Sequence, residues 1–204
     1  MKEGDRRVKR TRRLLKNALL ELIHKKGFNA ITVRDLTEKA DVNRATFYQH
    51  YHDKFDLLDQ AIDDMLLSLV TYVVPKNVEE ITDIEKASPV FVRLFEFIYD
   101  NTFFFQVMMG KNGIPSFQRR MVSMIQQFMN EKLEQFHPQP EKMDIPREIL
   151  IHYISFAHLG LISYWLESDM QYSPGYMARQ LSSLTVKGPL AAGGLLYNNC
   201  LGNS

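Results

Sequence analysis

One cysteine, Cys200, stands among 204 residues. A single thiol excludes an intramolecular disulfide framework and any Cys-rich zinc site. It suits a reducing, cytoplasmic setting. No apolar segment follows Met1; the chain opens Lys2-Glu3-Gly4-Asp5-Arg6-Arg7, so no secretory leader is expected. Strand signals are scarce, because long alternating patterns are missing and β-branched runs are short. There is no glycine-rich phosphate loop, no Ser-His-Asp order around a nucleophile elbow, and no paired metal-ligand motif. An enzyme reading therefore lacks support, and neither a cofactor nor a metal is expected. What remains is ordinary globular material: apolar residues make up 45% and charged residues 24%. The length allows one domain or two small ones.

Net charge is also nearly absent, at +1. That figure is a cancellation. Residues 1–52 hold 13 Lys and Arg against 6 Asp and Glu, or +7. Residues 53–204 hold 12 against 18, or −6. A short basic head joined to a long acidic body points to a nucleic-acid-binding end.

Almost every segment reads as helix, and the fold class is all-α. Leu15, Ala18, Leu19, Leu22 and Ile23 form one stripe on a first helix over 8–26, which Lys25, Lys26 and Gly27 end. Thr32 caps a short second helix, with Asp35 completing a partial capping box. Asp41 breaks it, and Asn43 caps a third helix over 44–50. Asp53 caps a fourth, which Pro75 stops. A loop follows to residue 88, and Ser88-Pro89 starts the next helix. Asn101-Thr102 interrupts it before Phe103 to Met109. Residues 110–115 are a loop, and 116–136 form another helix. Pro138, Pro140 and Pro146 bracket a connection. Residues 147–168 are apolar around nearly the whole circumference, which describes a helix buried on all sides. A membrane span is the competing reading, and His152 and His158 argue against it. Ser173-Pro174 caps a last helix ending at Lys187-Gly188, and 189–204 form a loose tail.

The second and third helices have the length and order of a helix-turn-helix, whose second element enters the DNA major groove. Leu36, Ala40, Val42 and Phe47 can lock the pair, while Arg44, Thr46, Gln49 and His50 offer a polar outer face. Cations over Arg6–Lys16 and Lys54 can hold the DNA backbone. From Thr11 to Leu58 the chain resembles the N-terminal domain of the tetracycline-repressor (TetR) family of bacterial transcriptional regulators. The resemblance rests on Thr32-Val33-Arg34-Asp35-Leu36, then Ala40 through Tyr51, then Asp53-Lys54-Phe55-Asp56-Leu57-Leu58. Asp41 departs from it, since the family usually has glycine at that turn; Asp tolerates the left-handed conformation well enough to keep it. The resemblance implies base contacts from Arg44, Ala45 and Gln49. It implies phosphate and base contacts from Thr46, Tyr48 and His50, and phosphate contacts from Thr32 and Lys54. It makes Phe47, Tyr51, Leu57 and Leu58 core.

The same resemblance divides the chain into a DNA-binding domain over 1–52 and a regulatory domain over 53–188, linked by a helix over about 53–74. It implies a cytoplasmic homodimer on a pseudo-palindromic double-stranded operator, acting as a repressor that a small apolar or aromatic effector releases. An activator or co-activator working through protein contacts is the alternative. The two C-terminal helices match the family's dimerising pair, with Phe156, Gly160, Ser163, Tyr164, Met177, Leu181 and Leu184 as interface candidates. Phe103, Phe104, Met108, Met124, Phe128, His152, Tyr153 and His158 are pocket candidates, rich in the adaptable apolar side chains an effector would need. Such a cluster is more often plain core than a pocket. His152 and His158 do not share a helix face, so they do not form a metal pair.

Overall fold

The computed structural model describes residues 3–74, 88–136 and 143–194, and every regular element in them is helical. The elements are α1 (Glu3–Lys26), a 3-10 turn (Phe28–Ala30), α2 (Val33–Ala40), α3 (Arg44–Tyr48) and α4 (Lys54–Val73). After them come α5 (Pro89–Asp100), α6 (Thr102–Met109), α7 (Pro115–Phe136), α8 (Arg147–Glu167), α9 (Pro174–Lys187) and α10 (Pro189–Ala192). The all-α class is as expected. The ends expected at Pro75 and the connection over Pro138 and Pro140 lie outside the described residues. So do residues 195–204; of the loose tail expected from residue 189, Pro189–Ala192 form the short helix α10.

Two compact units emerge. The first comprises residues 1–68 and 102–121; the second comprises 69–101 and 122–204. The first therefore takes in α6 and the start of α7 as well as the head, which the boundary expected near residue 52 leaves out. Its core is built by the stripe that α1 shows in sequence. Leu15, Leu19 and Ile23 are fully buried, together with Leu36 of α2, Phe47 of α3, and Leu57 and Ile62 of α4. Three-and-four spacing on α1 turns those side chains to one side, and burying each stabilises the unit by about 1.5–3 kcal/mol. Gly27 carries the chain out of α1 at φ 74, a conformation that glycine adopts without strain.

α6 joins this unit through Phe105 and Met108, both fully buried, and Phe104 and Phe105 both ring-pack on Phe117 of α7. The α6–α7 turn is tight. A Cβ on Gly113 would come within 2.6 Å of the Gly110 carbonyl oxygen and 2.7 Å of that of Met108.

In the second unit α5 and α9 pack along each other, and α8 contacts α9. Phe95 of α5 meets Trp165 of α8 edge to face at 5.1 Å. The Trp165 indole N–H donates to the Tyr172 carbonyl at 2.8 Å, fixing the turn into α9. The Ser88 backbone N–H donates to the Ser182 hydroxyl at 2.9 Å, tying the start of α5 to α9.

Candidate nucleic-acid interface

The interface starts from two caps. Thr32 accepts the Asp35 backbone N–H at 3.2 Å, and the Asp35 carboxylate accepts both the N–H and the hydroxyl of Thr32 at 2.7 Å. This is the full capping box, stronger than the partial one expected. Thr32 and then Lys26, whose ammonium lies 3.0 Å from the carboxylate, hold the Asp35 carboxyl far below the usual range. The hydroxyl proton of Thr32 is thereby directed to Asp35. It is not presented to a phosphate, so the amides of the first turn of α2 remain the natural donors there.

Asp41 ends α2 at φ 51, ψ 49, the left-handed conformation. The Asp41 N–H donates to Glu38 O at 3.3 Å and the Val42 N–H to Thr37 O at 3.0 Å. These paired bonds form a Schellman closure built on aspartate where glycine is usual. Asn43 then accepts the Ala45 N–H at 2.8 Å and opens α3.

α3 is only Arg44–Tyr48, shorter than the helix expected through His50. Its inner face is Phe47, fully buried against Tyr51 at 5.8 Å. The Tyr51 hydroxyl is buried with no partner among the described residues, and burial pushes its phenol upward. The outer face presents Arg44, Ala45, Tyr48 and Gln49 to solvent, with Thr46 and His50 half-buried. The Arg44 guanidinium stands over the Tyr48 ring, 5.6 Å from its centre, and donates to the Tyr48 hydroxyl at 3.4 Å.

The head's cations divide into two groups. Arg12 donates to Gln60 at 3.0 Å, Lys16 pairs with Asp64, Arg34 with Glu38 and Lys39 with Glu21. Arg6, Arg7, Arg10 and Arg13 stay exposed along the first half of α1, and Arg44 stays exposed on α3. The Lys54 ammonium is engaged within the fold rather than turned to solvent. Its ammonium donates to the carbonyls of Phe28, Asn29 and Ile31 at 3.1, 3.1 and 2.8 Å. It also sits over the rings of Phe28 and Phe55, at 4.8 and 5.4 Å. An ammonium has three donors, and all three are engaged within the fold.

Sequence reading missed a second set of residues in this unit. Arg120 of α7 donates to Asp59 and Asp63, one turn apart on α4, at 2.7 Å each. Asn112 in the α6–α7 turn donates to the His24 carbonyl at 3.2 Å. Beside them lies a half-open cavity of about 540 Å³, lined by Phe28, Phe55, Leu58, Lys111 and Ile114 among others.

The pocket candidates are divided between the two units. Phe104 and Met108 are core of the first unit, and Phe103 is half-exposed beside His24. Met124 and Phe128 are half-buried in the second unit, while His152 and Tyr153 are exposed on α8. His158 alone among these is a buried polar group. It meets Phe91 edge to face at 5.4 Å and the Thr185 hydroxyl at 3.2 Å, and burial lowers its pKa to about 4. Thr185 donates its own proton to Leu181 O at 2.7 Å, so the neutral His158 must be the donor in that pair.

The dimer candidates also divide. Phe156, Gly160 and Tyr164 lie exposed on α8, Ser163 is half-buried beside them, and Leu184 is half-buried on α9. Met177 and Leu181 are each 2% exposed, because the inner stripe of α9 is filled by α5 and α8; they offer a partner almost no surface. α8 is long and apolar enough to cross a bilayer, yet Ser155 and His158 sit in a stripe packed into the unit.

Two family profiles match. Residues 15–61 match bacterial regulatory proteins of the tetR family. Residues 85–187, half of the chain, match the C-terminal region of transcriptional regulators. A curated relative from Bacillus subtilis (strain 168), the uncharacterized HTH-type transcriptional regulator YxbF, is 27% identical over 191 residues, covering 91% of this chain and 47% of its own. The chain thus spans about half the length of that relative. A TetR transcriptional regulator from Streptococcus agalactiae superposes with a TM-score of 0.65 at 22% identity, over 89% of this chain and 96% of that one. The fatty acid degradation regulator FadR from Bacillus halodurans gives 0.61 at 14%, over 86% and 98%. The dihydroxyacetone kinase operon activator DhaS gives 0.58 at 15%, over 87% and 94%. At these identities the structures share the fold. The fold, the helix-turn-helix and both profiles agree: the chain belongs to the tetR family of bacterial regulatory proteins, a family of DNA-binding transcriptional regulators.

Proposed function

We propose that the protein is a cytoplasmic homodimeric repressor that binds a pseudo-palindromic operator and is released by a small, largely apolar effector. The observation that carries the DNA half is α3. Its one apolar side chain of size, Phe47, is buried, and its remaining side chains face outward as a polar surface. Arg44, Ala45 and Gln49 read base edges; Tyr48, Thr46 and His50 contact the backbone or the groove wall; the exposed arginines of α1 supply sequence-independent attraction. Two such heads gripping successive major grooves lie about 34–36 Å apart.

The open face of α8 supports dimerisation. Ile149, Tyr153, Phe156 and Tyr164 are each at least half exposed and recur on one side of the helix, around an open Gly160. At roughly 100 Å² of apolar surface each, they present about 400 Å², as large as the biggest patch on a typical monomer. That is about half of one partner's share of a standard interface.

The effector half rests on family resemblance, with His158 as the buried polar pocket candidate of the second unit: its one N–H goes to Thr185, so its Nδ1 is left as an acceptor able to orient a polar donor. DNA and effector would then oppose each other by linkage. The activator reading keeps a foothold, since DhaS, which shares the fold, is named as an operon activator.

Selection of bound fragments from random double-stranded DNA tests the reading, with sedimentation to give the oligomeric state. A recurring inverted repeat bound by a dimer is expected. Binding without a recurring sequence, or by a monomer, would overturn it.

A further inference from the structure

The contact between Arg44 and Tyr48 couples two residues that are otherwise read as separate DNA contacts. Arg44 is the first residue of α3, whose N-terminus is electropositive and whose first turn carries no acid. A cation placed there is mildly disfavoured, and a neighbour that offers electron density offsets this. On α2 the same one-turn spacing supports Arg34 with Glu38 at 2.7 Å, and that pairing neutralises the charge. On α3 the neighbour is an aromatic ring. It holds the guanidinium by its electron-rich face and leaves the charge intact.

The donor arithmetic points the same way. Arginine has no acceptor, so in the 3.4 Å contact the guanidinium donates and the Tyr48 oxygen accepts. One of five N–H groups is engaged, and enough remain for a bidentate contact to guanine. The Tyr48 proton is not used in that contact, so it can be donated outward to a phosphate. The ring is itself braced, because it meets the fully buried Phe47 edge to face at 5.4 Å. A continuous line of support therefore runs from the core through Phe47 and Tyr48 to Arg44.

We infer that Tyr48 is a positioning residue for Arg44, so that base preference at one position of each half-site belongs to the pair rather than to the arginine alone. The inference rests on the reading of α3 as the groove-entering helix. It assigns Tyr48 two jobs: the ring, helped by the hydroxyl oxygen that accepts from Arg44, aims the arginine, and the hydroxyl proton grips the backbone.

Three variants of the full chain separate them, each assayed against the selected operator and against operators altered at every base pair. Arg44→Ala should flatten preference at one position per half-site, from a discrimination of roughly 5- to 150-fold to near none. Tyr48→Leu should flatten that same position. Tyr48→Phe, which keeps the ring and loses the 3.4 Å contact, should keep most of the preference there while weakening all sequences alike, by roughly 10- to 150-fold. Tyr48→Gln, also ringless, repeats the test if the leucine variant folds poorly by circular dichroism. The inference is overturned if both ringless variants keep full preference at the Arg44 position. If Arg44→Ala changes no position, the reading of α3 itself fails, and the inference with it.

Discussion

Replacing Lys54 with methionine separates a structural lysine from a phosphate-binding one. Methionine keeps the length of the side chain and its contact with Phe28 and Phe55, and removes only the ammonium. Three carbonyls then lose their donor, those of Phe28, Asn29 and Ile31. The Asn29 bond is exposed, so water can replace it; the other two are partly buried. A hydrogen bond to a charged group is worth about 1.5–3 kcal/mol. Counting two at the lower half of that range, and allowing for partial rewetting, gives a loss of about 2–4 kcal/mol. In a chain of this length that lowers Tm by roughly 4–16 °C. DNA binding should respond differently. Each phosphate contact adds about 0.9 to the slope of log K against log salt, so a dimer that loses one contact per head would lose about 1.8. With all three donors engaged inside the fold, Lys54→Met should leave that slope unchanged. Chemical denaturation and salt-dependent fluorescence anisotropy on one operator measure both quantities. An unchanged stability together with a slope reduced by nearly two units would refute the reasoning and restore the phosphate role.

Three further outcomes are expected. Asp41→Gly should raise stability by about 0.5–1 kcal/mol in urea denaturation, because φ 51 suits glycine better; a loss would mean the carboxylate supports the turn. His158 should make the protein acid-sensitive. With its pKa lowered from 6.5 to about 4, the stability it contributes is complete above pH 6.5 and declines as the pH falls toward 4, by about 3 kcal/mol in total. His158→Gln should flatten the stability profile across that window, and an unchanged profile would assign the acid sensitivity elsewhere. Gly160→Leu should leave the protomer folded, since a Cβ there meets nothing within 4 Å, but should weaken dimerisation at least tenfold by sedimentation; an unchanged dimer would move the interface off α8.

Local features of the head were legible in the sequence because their partners are close along the chain. Thr32 and Asp35 are three residues apart, and Asn43 caps an amide two residues on. The turn at Asp41 follows from the tolerance of aspartate for left-handed backbone. The bonds of Lys54 to backbone carbonyls are not legible in the sequence, because those partners lie 23–26 residues upstream, where no spacing rule reaches. The same holds for Arg120, whose aspartates are 57 and 61 residues away. Thr32 was half-read: the cap was visible, but the direction of its hydroxyl proton depends on Asp35 and Lys26 together. The aromatic and methionine run over 103–109 was legible as apolar but not as core or pocket. Periodicity says that side chains are apolar; it does not say what faces them.

α8 shows why that limit is physical. Its buried stripe runs Ile151, Ser155, His158, Ile162 and Trp165, in steps of four, three, four and three. Its open stripe runs Ile149, Tyr153, Phe156, Gly160 and Tyr164, in steps of four, three, four and four. Two residues of offset on a helix of 3.6 per turn place these stripes about 200° apart, on opposite sides. A pattern search sees their sum, which has no polar face, and reads burial on all sides. The chemistry deepens the ambiguity. The buried stripe contains a serine and a histidine, and the open stripe contains two tyrosines and a phenylalanine, the reverse of an ordinary surface helix. The inner polar groups are affordable because each has a partner: Ser155 donates to Ile151 O at 2.7 Å and His158 to Thr185 at 3.2 Å. Of the outer aromatics, Phe156 stacks on His152 of the same helix at 6.5 Å, and on the proposed reading a second copy of α8 covers the rest of that face. The feature that made this helix look like a membrane span or a central core element is then the sum of two half-interfaces, one inside the protomer and one across the two-fold axis.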